Sequence, residues 1–145
     1  MSDTALMTLR SELPPAPESV GQARHLIAAL LEGADRADVT DTVTLLASET
    51  ITNAVLYART QIGVSCEVRP DRVRVEITDQ APSDPDLSFR DREWATGCGL
   101  TMVDQMAASW GIYATTTGKA VWFEIVEEGT SELGESTDQT IDLTN

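Results

Sequence analysis

Ile62-Gly63-Val64-Ser65-Cys66-Glu67-Val68-Arg69-Pro70-Asp71-Arg72-Val73-Arg74-Val75-Glu76-Ile77-Thr78-Asp79 alternates apolar and polar side chains on both sides of one turn signal. Ile62, Val64, Cys66 and Val68 share one parity, Pro70-Asp71 breaks the run, and Val73, Val75 and Ile77 resume it. Period-2 alternation with a short turn predicts two antiparallel strands of one hairpin, one face buried and one wet. Asp79 continues the inward parity, so a carboxylate sits in phase with buried valines at a strand end. It must be hydrogen-bonded or face a cavity to avoid a desolvation penalty. An adenine amino group would satisfy it, and so would local capping of the next turn, where Asp is common.

Upstream, the period changes from two to 3.6. Val20, Ala23, Ile27, Leu30 and Leu31 predict an amphipathic helix over 18–32, with Ser19 as its cap and Gly33 as its stop. Val43, Leu46, Ala47, Ala54 and Val55 predict a second helix over 40–58, with Asp41 near its positive start. Ala5, Met7 and Leu9 alternate ahead of Pro14-Pro15 and suggest a short edge strand. Downstream, residues 80–96 hold Pro82 and Pro85 with little periodicity and read as a long loop over a site. A helix over 100–109 and a closing hairpin of 110–116 and 120–126 around Thr117-Gly118 complete the chain. This mixed order predicts an α+β two-layer sandwich, helices on one face of a mainly antiparallel sheet.

Within the second helix, Glu49 and Asn53 stand four apart, and about 400° of rotation puts both on nearly one face. An amide oxygen suits Mg²⁺, which relies on few protein groups plus substrate phosphates, while a neighbouring carboxylate can accept a proton. The same pair is also compatible with a solvated polar helix face. Gly97-Cys98-Gly99, directly before Leu100 and a helix, offers free backbone N–H groups to phosphate oxygens, or is an ordinary loop-to-helix turn. His25 and Cys98 receive no catalytic role.

Composition narrows the function classes. The 145 residues are 41% hydrophobic and 23% charged, enough for one domain with a real core. The expected division is an N-terminal strand or arm over 1–13, a domain over 14–126 and an acidic, solvated tail over 127–145. A net charge of -14 would repel a phosphate backbone, so no direct nucleic-acid partner is expected. Residues 1–17 lack a basic region followed by an apolar core, and no stretch approaches the roughly 20 apolar residues of a span, so no membrane is expected and the cytoplasm is. Cys66 and Cys98 have no metal-ligand spacing and are expected as reduced thiols.

Glu49-x-x-x-Asn53-Ala54, then Asp79 after a strand, then Gly97-x-Gly99-Leu100 before a helix resemble, in this order, the three nucleotide-binding boxes of the Bergerat-fold, histidine-kinase-like ATPases. Glu18-Ser19-Val20-Gly21-Gln22-Ala23-Arg24, Ser109-Trp110-Gly111 and Val121-Trp122-Phe123-Glu124 are similar to the short, stand-alone anti-sigma regulatory kinases common in actinobacteria, so the resemblance covers about residues 14–126. The resemblance implies ATP and Mg²⁺ as cofactors, a homodimer, sequestration of an RNA polymerase sigma factor, and phosphorylation of a serine on an anti-anti-sigma factor, a STAS-domain protein. By position, Glu49 would be the general base, Asn53 the Mg²⁺ ligand, Asp79 the adenine reader, and Gly97 and Gly99 with Leu100 the phosphate loop. The sequence departs from the family pattern at Gln80-Ala81-Pro82, where a glycine is usual, at Tyr57, where a His often follows, and at Ala95-Thr96, which supplies no base. These departures carry an alternative, a non-catalytic anti-sigma binding module with a repurposed pocket. A sensor domain of a two-component or GTPase-linked system is a third reading.

Overall fold

The computed structural model describes residues 6–82 and 100–126. Its central hairpin is the one the alternation predicts: β2 (Ile62–Arg69) pairs antiparallel with β3 (Arg72–Asp79) across Pro70-Asp71. β1 (Met7–Leu13) pairs with β2 along its whole length, while β4 (Ser109–Ala114) and β5 (Lys119–Val126) form the closing hairpin, with β5 lying against β3. The sheet order is β1-β2-β3-β5-β4 and every neighbouring pair is antiparallel.

Among the described residues, three α-helices cover one face: α1 (Glu18–Gly33), α2 (Thr40–Asn53) and the short α3 (Thr101–Met106). The α+β two-layer sandwich expected from the element order is what forms. Its core joins Ala23, Ile27 and Leu31 of α1, Val43, Leu46, Ala47 and Ile51 of α2, Val103 of α3, and the inward residues of β2, β3 and β5, among them Val75, Ile77 and Phe123. Burying each large side chain of this set contributes about 1.5–3 kcal/mol.

The opposite face carries Glu67, Arg69, Arg72, Arg74, Glu76, Trp122 and Glu124, the polar parity of the same strands. Arg74 lies over the Trp122 ring at 4.3 Å and reaches Glu124 at 3.3 Å, and Arg72 meets the same carboxylate at 3.4 Å. Trp122 in turn lies across Gly111, its partner on β4, where a Cβ would meet the indole nitrogen at 2.8 Å. Tyr113 donates a hydrogen bond to Glu76.

Several element ends differ from the sequence reading. Ser19 is not the cap of α1. Pro17 is, without a side-chain bond, and Ser19 sits buried in the first turn with its hydroxyl donating to the Pro14 carbonyl at 2.7 Å. Gly33 is the last helical residue, and the chain turns at Asp35 (φ 63°). The second helix does reach Ala58, but its last turn, Ala54–Ala58, widens to i→i+5 bonding, with the Arg59 N–H on the Ala54 carbonyl at 3.0 Å and Arg59 left-handed. The third helix stops at Met106 instead of 109, because Ala107 turns extended and the Ala108 N–H already joins the Glu124 carbonyl at 2.8 Å. β4 therefore starts at Ser109 and ends at Ala114, two residues short of the expected strand. The 83–96 part of the proposed loop, the Gly97-Cys98-Gly99 turn, Ala5 and the 127–145 tail lie outside the described residues.

Among the described residues, Phe123 is the largest fully buried side chain, and it faces the helices from the strand between β3 and β4. Phe123→Ala is expected to lower unfolding free energy by about 3–5 kcal/mol, measured as a shifted urea midpoint at unchanged slope.

Candidate functional site

Two features carry the second helix to the end of the sheet where β3 stops. The chain leaves α2 through the widened turn and enters β2 at Ile62, and Gly63 of β2 pairs with Thr78. The Thr60 hydroxyl then accepts the Gln80 N–H at 2.8 Å, which joins the segment after α2 to the residue following Asp79. Asn53, the last residue of α2 before the widening, is thereby brought to the Asp79 end of the sheet. Single-turn π widenings recur at functional sites, since they re-aim the side chains on either side of them.

Glu49 is half-buried one turn earlier, and its Oε1 accepts the Val103 N–H of α3 at 3.3 Å. Burial raises the Glu49 carboxyl above the ordinary range, against the lowering effect of the backbone N–H groups of Val103 and Met102. A desolvated carboxylate of raised proton affinity is what a proton acceptor working near neutral pH requires. Asn53 contributes differently: its amide nitrogen is buried and has no hydrogen-bond partner. A buried amide nitrogen without a bond can donate to a ligand. The amide oxygen of the same side chain is a neutral donor of the kind Mg²⁺ takes beside phosphates and water.

Asp79 is 6% exposed and doubly engaged. Its Oδ1 accepts the Ala81 N–H at 3.0 Å, the local turn cap that its strand-end position allowed, and its Oδ2 meets Lys119 Nζ at 2.6 Å. Lys119 is the direct cross-strand partner of Asp79 on β5. Sequence reasoning missed it as a site residue, although continuing the inward parity of Phe123 and Val121 back along the last strand reaches it. It also missed Gly118, read only as a turn residue. A Cβ there would lie 2.0 Å from the Asp79 carbonyl oxygen and 2.6 Å from Gln80 Cα, so only glycine allows the two backbones to come this close.

Of the remaining residues expected at the site, Leu100 is 3% exposed, and its side chain belongs to the core while its carbonyl accepts the Asp104 N–H at 3.0 Å. It anchors the start of α3, which Trp110 also holds by donating from Nε1 to Asp104 at 3.0 Å. Gly97 and Gly99 lie outside the described residues. Cys66 is a free thiol buried in the core, and burial first, then the Glu67 charge, pushes it up to about 12, so it is unreactive. No helix among the described residues is long and apolar enough to cross a membrane.

The histidine kinase-like ATPase domain matches residues 13–125, from the last residue of β1 to the penultimate residue of β5. The protein belongs to that family, and the family implies ATP binding. A comparison with curated proteins gave no match.

Two outcomes follow from this geometry. Because burial raises the Glu49 carboxyl in the folded state, its stabilising contribution is greatest while it is protonated and is lost as pH rises through the folded-state value. Glu49→Gln keeps an oxygen for Val103 and removes that cost, so its urea midpoint should exceed that of the parent at about pH 8 and converge with it at about pH 4. Gly118→Ala must displace the Asp79–Gln80 backbone, and a loss of about 1–3 kcal/mol in the same assay is expected.

Proposed function

We propose that the protein is an anti-sigma factor that binds ATP with Mg²⁺ and transfers the terminal phosphoryl group to a serine of an anti-anti-sigma protein of the STAS class. The observation that carries this reading is Glu49: a desolvated carboxylate, held by an α3 backbone N–H and one helical turn from Asn53, whose buried amide nitrogen has no partner. Membership of an ATPase-domain family and the resemblance of the three boxes support it.

In this reading the serine Oγ bonds to the γ-phosphorus as the bond to the β–γ bridging oxygen breaks, and the serine proton passes to Glu49. The Val103 N–H orients the carboxylate by engaging its Oε1. Asn53 would hold Mg²⁺, which supplies charge neutralisation on the phosphates when bound, and Asp79 would accept a hydrogen bond from the adenine amino group. Catalysis of this type rests on positioning and electrostatics more than on covalent chemistry. Leu56 and Tyr57, exposed at the end of the widened turn, offer apolar area to a protein partner such as the sigma factor or a second copy of the chain.

A non-catalytic binding module is the second reading, and one observation favours it: Asp79 already holds two donors, Ala81 N–H and Lys119. Labelled ATP, Mg²⁺ and a cognate STAS-domain protein separate the two. The kinase reading expects phosphoserine on the antagonist, a fall of about 10²–10⁴-fold in transfer rate for Glu49→Ala, and ATP affinity changed little. ATP binding with no transfer would leave the binding module, and transfer that survives Glu49→Ala would remove Glu49 as the base.

A further inference from the structure

The sheet order leaves β1 at one edge, with no strand on its outer side among the described residues. An open edge is a template for pairing with another chain, and edge strands are ordinarily blunted by proline, lysine, a bulge or shortness. β1 has none of these devices. Met7–Leu13 is seven residues, MTLRSEL, in unbroken register with β2 from Met7↔Val68 to Leu13↔Ile62. β4, at the opposite edge, is uncharged from Ser109 to Ala114, so it carries no charge that could select a register.

The charges of β1 are placed for a partner outside the sheet. Thr8, Arg10 and Glu12 are exposed on the face away from the helices, while Leu9, Ser11 and Leu13 have the helix-side parity. Arg10 stands opposite Ser65 on β2 and Glu12 opposite Gly63, so neither faces an opposite charge across its own ladder.

A second copy can join this edge antiparallel, about a two-fold axis perpendicular to the sheet. Helix-side residues must then meet helix-side residues, so the axis passes through a residue and not between two. Centred on Ser11, Arg10 faces Glu12 of the second copy and Glu12 faces its Arg10, while Leu9 and Leu13 meet on the helix side. Centring on Arg10 or on Glu12 sets like charges against each other, and centring on Leu9 gives Arg10 only a threonine. In the Ser11 register the ladder covers residues 9–13 and stops where Pro14 has no N–H to give. Leu6 and Met7, which are 57% and 38% exposed, then overhang the Pro14-Pro15 corner of the second copy and bury apolar surface against it.

We propose that β1 is a homodimer interface, two copies pairing edge to edge and antiparallel, centred on Ser11. The pairing continues the five-stranded sheet of one copy into that of the other, with both helix layers on the same side. The inference supplies the surface and the register of the homodimer expected from the sequence, and it does not depend on phosphoryl transfer.

The test is sedimentation equilibrium of the full chain, where a monomer–dimer equilibrium is expected. Arg10→Glu and Glu12→Arg each turn two attractive pairs into repulsive ones and should weaken the dimer at least about tenfold. The double variant restores both pairs with exchanged signs and should return to within about threefold of the parent. In a Cys98→Ser background, with Cys66 buried, Ser11→Cys is expected to cross-link the copies on mild oxidation. Facing residues of an antiparallel pair have Cα atoms about 4.5–5.5 Å apart, within disulfide reach. Thr8→Cys should stay unlinked, because in this register the two copies of residue 8 lie about 20 Å apart along the strands. Circular dichroism establishes that each variant is folded, and the cross-link decides the register should a charge variant not fold. A folded parent that stays monomeric overturns the inference. A dimer that charge reversal leaves unchanged, that the double variant does not restore, or that Ser11→Cys fails to cross-link overturns it equally.

Discussion

The register of β3 against β5 is the constraint on which the rest of the molecule depends. These strands meet at the centre of the sheet, with Val73 opposite Ile125, Val75 opposite Phe123, Ile77 opposite Val121 and Asp79 opposite Lys119. Because side chains alternate with a period of two, a slip of one residue on β3 would drive Arg72, Arg74, Glu76 and Thr78 into the helix layer and expose the valines. The apolar parity of both strands forbids this, and the same parity carries the carboxylate and the ammonium inward at the end of the ladder. A polar site at the margin of the core thus follows from the same alternation that makes the core.

That arrangement places opposite demands on one layer. Burying an unpaired carboxylate is costly, and Asp79 avoids the cost through the Ala81 N–H and Lys119. Glu49 meets the same problem differently: it is half-buried with a backbone N–H from α3, and its carboxyl is displaced toward the protonated form. Two carboxylates on one side of the sheet therefore differ in character because their partners differ, one neutralised in place and the other left as a proton acceptor. In the proposed function, Asp79 reads the ligand and Glu49 acts on it.

The widened turn at Ala54–Ala58 lies between the helix that carries Glu49 and the hairpin that ends at Asp79. A regular helix through Ala58 would present its residues at even spacing, whereas the i→i+5 bond from Arg59 to Ala54 and the left-handed Arg59 change the exit direction. The chain is then delivered through Thr60, whose hydroxyl holds Gln80, into β2. Asn53 sits immediately before this change, with an amide nitrogen that the fold leaves unused.

What the amino-acid sequence determined by itself is the set of features that local periodicity encodes. Alternation over Ile62–Asp79 defines both strands of the hairpin and the inward phase of Asp79, and the 3.6-residue recurrences define α1 and α2. The spacing of Glu49 and Asn53 puts them on one face of a helix without reference to any other element. Tertiary structure decided what depends on residues distant in the chain. Lys119 becomes the partner of Asp79 only when β5 docks beside β3, forty residues away. Gly118 matters only because two backbones approach there, and Glu49 acquires its raised proton affinity only when folding desolvates it. Helix and strand periods are properties of a single segment, whereas desolvation and charge pairing are properties of the space between segments, which exists only in the folded chain.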